Sequence, residues 1–190
     1  MSQVDFGPGP SVLHVGCGAA NPEKLHPIFR GWREIRFDID PDVKPDIIGD
    51  IVSMTDVPDA AVNGVYSSHN LEHLYSHQVP IALREFWRVL KPGGVVLVTM
   101  PDLQEVAALI AQGKLEEVAY VSPAGPIAPL DICYGFRAAI ERGNTFMAHR
   151  TGFTAQTLGQ KLHAAGFSEI QLERGNFALW GRAVKPAGVI

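Results

Sequence analysis

The sequence predicts an α/β domain with a doubly wound, mostly parallel sheet that ends in an antiparallel hairpin. Three observations carry this prediction. Short apolar runs alternate with helical segments up to residue 101, which is typical of right-handed strand–helix–strand units. A glycine turn, VGCG, follows the first apolar run. Two strand-like runs joined by a short link close the chain.

The first half of the chain predicts four strands and one short helix. Residues 11–18, SVLHVGCG, are an apolar run that stops at glycines, which indicates a buried strand entering a tight turn. Residues 21–31 predict a helix that begins after Asn21 with Pro22 in its first turn and ends at Gly31. The further strands are predicted over residues 33–40, 46–51 and 62–68.

The second half predicts three helices and three strands. The helices are residues 80–90, with Pro80 at the first position, residues 102–118, and residues 154–167, which begin at a threonine cap and stop at Gly166. The strands are the β-branched run at residues 95–101 and two strands within residues 169–185, joined at RGN.

Residues 119–150 fit no regular period and contain several prolines and glycines. A long irregular segment inside a compact domain is typically a functional loop or lid. We therefore expect one domain over residues 1–190, with residues 104–150 as an irregular insert or lid on the substrate side.

Composition excludes several classes of protein. The net charge of −4 offers no non-specific attraction for nucleic acid or an anionic membrane. The two cysteines lie far apart and form no CxxC motif, which favours a reducing compartment. The first ten residues have no signal-peptide pattern, and no apolar run is long enough for a membrane helix. A soluble cytoplasmic protein is the expectation.

Polar and small residues follow three neighbouring predicted strands. Gly16 and Gly18 follow the first, where a ligand could approach the backbone closely, although a plain strand-to-helix turn would also use a GxG. Asp38 ends the second strand and could accept hydrogen bonds from both hydroxyls of a ribose. Asp50 ends the third, where it could meet the amino group of an adenine beside Ile51.

These motifs resemble those of class I S-adenosylmethionine-dependent methyltransferases. The segments that carry the likeness are VLHVGCGAAN, FDIDP, GDI, VYSSHNLEHL, EFWRVLKPGGVVLVTMPD and HRTGFTAQTLGQKLHAAGF. The resemblance implies a Rossmann-like, seven-stranded sheet whose last strand is antiparallel, with S-adenosylmethionine as cofactor. It implies direct in-line methyl transfer to an acceptor, and the acidic charge balance favours a small molecule over nucleic acid. The cofactor-binding residues that it indicates are Gly16, Cys17, Gly18, Asp38, Ile39, Asp50, Ile51 and His69.

The chain also departs from this family's pattern. His14 stands where an acidic residue is common, and Ala20 replaces a third glycine. The second helix of the family is nearly absent, so the cover over the substrate must come from the insert or from another subunit, which makes a homodimer an expectation. A non-catalytic nucleoside-binding or regulatory protein of the same fold is the alternative function. An NAD-dependent oxidoreductase fits less well, because such enzymes typically require the third glycine of the GxGxxG motif.

The stretch SSHNLEHLYSH, residues 67–77, allows several interpretations. His69 is a candidate cofactor contact or general base. HNLEH also matches the H-x-x-E-H string of one metallopeptidase class, but that motif needs a long helix, and here a strand precedes it directly. Certain quinone O-methyltransferases hold a divalent metal at matching places, where Glu72 and His73 agree and His69 replaces the first acid. We assign no metal ligands from the sequence.

Candidate substrate contacts lie near the end of the insert. Arg137 or Arg150 could bind a carboxylate or phosphate, and Tyr134 could also face the substrate. His149 is a second candidate for the general base.

Overall fold

A computed structural model describes residue 4 and residues 6–188. Its main sheet has seven strands in the order β3-β2-β1-β4-β5-β9-β8, and a separate two-stranded sheet pairs β6 with β7. The strands are β1 Ser11–Val15, β2 Arg33–Asp38, β3 Ile47–Ile48, β4 Val62–Ser68, β5 Leu90–Pro101, β6 Tyr120–Ser122, β7 Gly125–Ile127, β8 Ser168–Gly175 and β9 Ala178–Val184. The helices are α1 Val79–Val89, α2 Leu103–Ala111, α3 Pro129–Tyr134, α4 Arg137–Glu141 and α5 Ala155–Ala164.

The predicted sheet and its terminal hairpin are confirmed. Strand β1 lies between β2 and β4, and β3, β2, β1, β4 and β5 are all parallel. Strand β9 runs antiparallel to β5 and to β8. The hairpin turn falls at Asn176 and Phe177, both in the left-handed region, which matches the right-handed twist of the flanking strands.

One face of the sheet carries the main core. In α1 the buried residues Val79, Ala82, Leu83 and Phe86 follow the i, i+3, i+4, i+7 spacing of one helix face. They join the inward side chains of the sheet and of α5 in a single apolar cluster. Helix α5 begins at the predicted cap, where the Thr154 hydroxyl accepts from the N–H of Thr157.

The opposite face has much thinner cover, and the helix predicted over residues 21–31 is wrong there. Two 3-10 turns, Pro22–Lys24 and Pro27–Phe29, replace it, because Pro27 has no N–H and disfavours helical geometry in the residue before it. Asn21 still caps the first turn as predicted. Phe29 is fully buried and anchors the second turn on this face of the sheet.

Two predicted elements are shorter than expected. Strand β3 ends at Ile48, because Asp50 turns the chain by accepting from the N–H of Val52. Helix α2 ends at Ala111, because Gly113 adopts a left-handed conformation with φ of +81° and stops the helix there.

The description of residues 119–150 as irregular is also wrong. This segment contains the β6–β7 hairpin, α3, α4 and a 3-10 turn over Thr145–Met147. Its elements are three to six residues long, too short for a helical or strand period to be visible in the sequence. Val106 of α2, Ile127 and Ile132 form a small separate core that holds the insert together.

Among the helices of residues 6–188, none combines the length and the apolar character that crossing a bilayer requires. Residues 1–3, 5, 189 and 190 lie outside the described residues. The expectation that the first ten residues are not a signal peptide therefore concerns a segment that is only partly described.

Arg88 fastens the segment before β4 to α1. Its guanidinium donates to the carbonyls of Met54 at 2.8 Å and Val57 at 2.9 Å. It also donates to both carboxylate oxygens of Glu85 at 2.8 Å, and to Asp59 at 2.7 Å. One side chain thereby holds a segment that has little regular structure of its own.

We expect Arg88→Met to lower the free energy of unfolding by about 2 kcal/mol, because it removes charge-assisted hydrogen bonds from two backbone carbonyls. Asp59→Asn is the matched control. Its side chain is 80% exposed, so the change should cost less than about 0.5 kcal/mol. Urea unfolding measures both, and equal losses in the two variants would contradict this role of Arg88.

Candidate functional site

A cleft lies at the carboxyl ends of the parallel strands, where β1 and β4 adjoin and the strand order reverses. Open α/β sheets bind ligands at this point. The cleft has a volume of about 350 Å³. Residues from the three strand ends line it, namely Gly16, Gly18, Asp38, Ile39, Asp40, Val43, Gly49, Asp50 and Ile51. Residues from the loop after β4 and from the insert complete it, namely His69, Asn70, His73, Leu74, Gln78, Asn144, Phe146, Met147 and Arg150.

The glycine turn needs its glycines. Gly16 and Gly18 have φ of +64° and +60°, a region that other residues rarely adopt. The N–H of Gly16 donates to the carbonyl of Phe37 at 2.9 Å, which fixes the turn against β2. A Cβ atom on Gly16 would lie 2.7 Å from the side chain of Asn70. The first position of the turn therefore admits only glycine without displacing Asn70.

Asp38 holds the turn from the second strand. One carboxylate oxygen accepts from the N–H of Gly18 at 2.8 Å, and the other accepts from the N–H of Asp40 at 3.0 Å. A carboxylate has about four acceptor positions, so each oxygen retains capacity for another donor. The side chain is 8% exposed and borders the cleft, which leaves that capacity available to a ligand.

Two isoleucines give the cleft an apolar portion next to these carboxylates. Ile39 is 49% exposed although it is a large apolar residue, and it lies on the cleft wall. Ile51 is 7% exposed and belongs to both the cleft lining and the main core. Asp50 directly precedes Ile51 in the chain and borders the same space. This combination suits a flat apolar ring with polar edges.

His69 stands in a strained backbone conformation at the inner end of the cleft. Its φ is +49°, uncommon for a residue with a side chain, and its N–H donates to the carbonyl of Thr99 at 2.9 Å. Its Nδ1 lies 3.2 Å from Oε1 of Glu72, which leaves Nε2 without that partner. The His69 side chain is 54% exposed, and its partial loss of water contact lowers its pKa. The hydrogen bond and charge of Glu72 outweigh this, so the pKa is raised.

Part of the insert reaches the cleft. Asn144, Phe146 and Met147 from the 3-10 turn region line it, and Phe146 is 60% exposed. Arg150 lines it too, with its guanidinium 5.0 Å from the centre of the Tyr75 ring. The end of the insert therefore borders the same space as the glycine turn.

Four residues predicted for the site have side chains that do not line the cleft. The thiol of Cys17 is buried, and burial raises its pKa to about 11. Tyr134 is 65% exposed and lies elsewhere on the insert. Arg137 is paired with Asp131 of α3, and its Nε donates to that carboxylate at 2.8 Å. His149 lies behind His73, its Nδ1 donating to the carbonyl of Ile132 at 2.8 Å.

The structure also brings in residues that sequence reasoning missed. Asn70 packs against Gly16, and its amide nitrogen has no hydrogen-bond partner in the described part of the chain. The sequence offered one signal for Asn70, because it directly follows His69, a predicted cofactor contact, in the loop after β4. Gln78, Asn144 and Phe146 gave no such signal, because nothing local in the sequence places them near the strand ends.

His14, two residues before Gly16, is paired on the sheet and lies outside the cleft. Its Nδ1 lies 2.6 Å from the carboxylate of Glu34 on β2, and its ring lies 4.9 Å from that of Tyr66. Glu34 of the neighbouring strand therefore pairs with His14 outside the cleft. Burial lowers the pKa of His14 despite Glu34, and the charges of Lys24 and Arg36 act in the same direction.

The strand order, the antiparallel last strand and the cleft at the glycine turn define the class I methyltransferase fold. Residues 13–98 match the family model described as a methyltransferase domain. The match covers less than half of the chain, and it indicates a resemblance to methyltransferase domains that agrees with the fold.

Solved structures share the fold at low sequence identity. A SAM-dependent methyltransferase from Archaeoglobus fulgidus aligns with a TM-score of 0.60 at 16% identity, covering 95% of this chain and 88% of the other. One from Methanosarcina mazei aligns with a TM-score of 0.61 at 14% identity, covering 94% and 93%. The Burkholderia thailandensis 1,6-didemethyltoxoflavin-N1-methyltransferase, solved with its substrate and S-adenosylhomocysteine, gives 0.56 at 15%, covering 93% and 72%. No curated protein matches the sequence significantly.

The lowered pKa of His14 predicts a pH dependence of stability. Below the ordinary histidine pKa of about 6.5, His14 binds a proton more readily in the unfolded chain than in the folded protein. The contribution of His14 to the free energy of unfolding is therefore lost as the pH falls. In His14→Gln, the decrease in the free energy of unfolding between about pH 7.5 and pH 5.5 should be smaller than in the wild type. Urea titrations at both values measure this, and an unchanged or larger decrease would contradict it. His163→Gln, on the helix α5, is the control.

Proposed function

We propose that this protein transfers the methyl group of S-adenosylmethionine to a small-molecule acceptor bound in the same cleft. The observation that carries the proposal is the convergence at one point of the glycine turn, the Asp38 carboxylate, and Ile39 beside Ile51. The cleft volume of about 350 Å³ lies at the small end of the range for small-molecule sites.

The residues present fit an adenosyl cofactor. Asp38 would accept both ribose hydroxyls with the capacity that remains after its two backbone contacts. Ile39 and Ile51 would contact the faces of the adenine, with Asp50 near its amino group. The unpartnered amide of Asn70, beside Gly16, would serve the methionine end. The carboxylates and the amide would meet polar parts of the cofactor, and the isoleucines would meet the apolar faces of its adenine.

The bound cofactor supplies an electrophilic methyl group on a sulfonium. The chain's own task is then mainly to align an acceptor in line with that methyl and to exclude water. Where the acceptor must lose a proton, His69 would take it through Nε2, because its Nδ1 is engaged by Glu72. Phe146 and Arg150 of the insert would hold the acceptor by apolar contact and by charge.

A direct test is calorimetric titration with S-adenosylmethionine and S-adenosylhomocysteine. We expect Ile39→Ala to weaken binding of both by about fivefold, because it removes roughly 1 kcal/mol of apolar contact with the adenine. Ile48→Ala is the matched control, since Ile48 is 55% exposed, similar to the 49% of Ile39, but does not line the cleft. Failure of the wild type to bind either compound would overturn the proposal, as would equal effects of the two substitutions.

A second experiment tests the acceptor and the base. We expect purified protein to release S-adenosylhomocysteine with one class of small molecule and with neither nucleic acid nor protein acceptors. With that acceptor, His69→Ala should lower kcat by about 100-fold with a smaller change in the KM for the cofactor. His77→Ala, on the same loop but outside the cleft, should leave kcat unchanged. Turnover with macromolecular acceptors alone would contradict the small-molecule assignment.

A further inference from the structure

Three potential metal ligands meet behind the wall of the cleft. One ligand atom each from Glu72, His73 and His149 lies within 4.8 Å of the others. The rings of His73 and His149 are 5.0 Å apart and nearly perpendicular. Glu72 and His73 come from the loop after β4, while His149 comes from the end of the insert, so only the tertiary structure assembles the group.

Glu72 is the strongest sign that the group is built for a cation. The residue is 1% exposed, yet its Oε2 has no hydrogen-bond partner within the described residues. Its other oxygen, Oε1, is 3.2 Å from Nδ1 of His69. A buried carboxylate oxygen without a partner is costly, and it is ordinarily found where a ligand or ion completes the site.

Both histidines are held in the form that binds metal. Nδ1 of His73 lies 3.2 Å from the carbonyl of Ala148, and Nδ1 of His149 lies 2.8 Å from the carbonyl of Ile132. A carbonyl can only accept, so each Nδ1 carries the proton and each Nε2 carries the lone pair. Metal-bound histidines characteristically donate their second nitrogen to a carbonyl or a carboxylate in this way.

The backbone holds the two segments in register before any ion is bound. The N–H groups of Arg150 and Thr151 donate to the carbonyl of Glu72 at 2.8 and 3.2 Å. The N–H of His149 donates to the carbonyl of Tyr134 at 3.1 Å, which ties the same segment to α3. Such preorganisation reduces the conformational cost of assembling ligands from distant parts of the chain.

We propose that Glu72, His73 and His149 bind a divalent transition-metal ion, with Zn²⁺ as the ion that suits them best. Two imidazole nitrogens and one carboxylate are a common three-ligand set for zinc, and they leave a coordination position for water or another oxygen ligand. His69 is a positioning residue in this site, because it holds the opposite oxygen of Glu72. The ion would lie behind His73 and fasten the insert to the loop after β4. The proposal does not depend on methyl transfer.

Zinc titration of chelator-treated protein tests the site directly. We expect one ion per chain, and we expect each of Glu72→Gln, His73→Ala and His149→Ala to weaken zinc binding by about 100-fold or more. His69→Gln should weaken it by about tenfold, as loss of a group that orients a ligand does. His77→Ala and His163→Ala should bind zinc like the wild type, because neither residue belongs to the three. Circular dichroism checks that each variant is folded.

Cobalt substitution tests the ligand set in the wild-type chain, so the proposal stays testable if a variant does not fold. We expect Co²⁺ to give visible d–d bands of a nitrogen–oxygen site without the near-ultraviolet band of a thiolate ligand, and Zn²⁺ to displace it. A thiolate band would assign the ion to Cys133 or Cys17 and overturn the proposal. The same conclusion would follow if the wild type bound no zinc, or if zinc binding were unaffected by the three ligand substitutions.

Discussion

The cleft depends on one hydrogen bond, from the N–H of Gly18 to the carboxylate of Asp38. It joins the turn after the first strand to the end of the second, and Arg36 of the same strand donates to the carbonyl of Gly18. Both backbone polar groups of Gly18, its N–H and its carbonyl, are therefore held by side chains of β2. Because the turn is fixed in this way, the remaining acceptor capacity of Asp38 points into a preformed space, and binding does not have to order the loop.

The chain forms this arrangement with little regular structure between its first two strands. The first strand is connected to the second by two 3-10 turns, and Phe29 alone provides the fully buried anchor among them. The insert after α2 contributes Asn144, Phe146, Met147 and Arg150 to the lining of the cleft. A small core around Val106, Ile127 and Ile132 lets the insert keep its own shape while its last residues reach back to the cleft.

Glu72 connects the cleft to its cover. Its side chain contacts His69, which borders the ligand space, and its carbonyl accepts from the segment at residues 150–151. Burial raises the pKa of Glu72, but its hydrogen bond with His69 and the charge of His69 outweigh this, so the pKa is lowered. The side chain of Glu72 therefore contacts His69 at the cleft and lies within 4.8 Å of a ring nitrogen of His73 and of His149.

The sequence by itself determined the sheet, the glycine turn, the carboxylates at the strand ends and the closing hairpin. Each of these is marked by a local pattern, namely an apolar run, a pair of glycines or a carboxylate at the end of a strand. The helix predicted over residues 21–31 followed the capping signal at Asn21, which is real. Pro27, a signal already present in the sequence, and the packing of Phe29 shorten this segment to two turns. The insert's short elements, the cover over the cleft and the meeting of His149 with Glu72 and His73 were decided by the tertiary structure alone. They depend on contacts between residues about seventy-five positions apart, as in the hydrogen bond from His73 to Ala148, and no local pattern records such contacts.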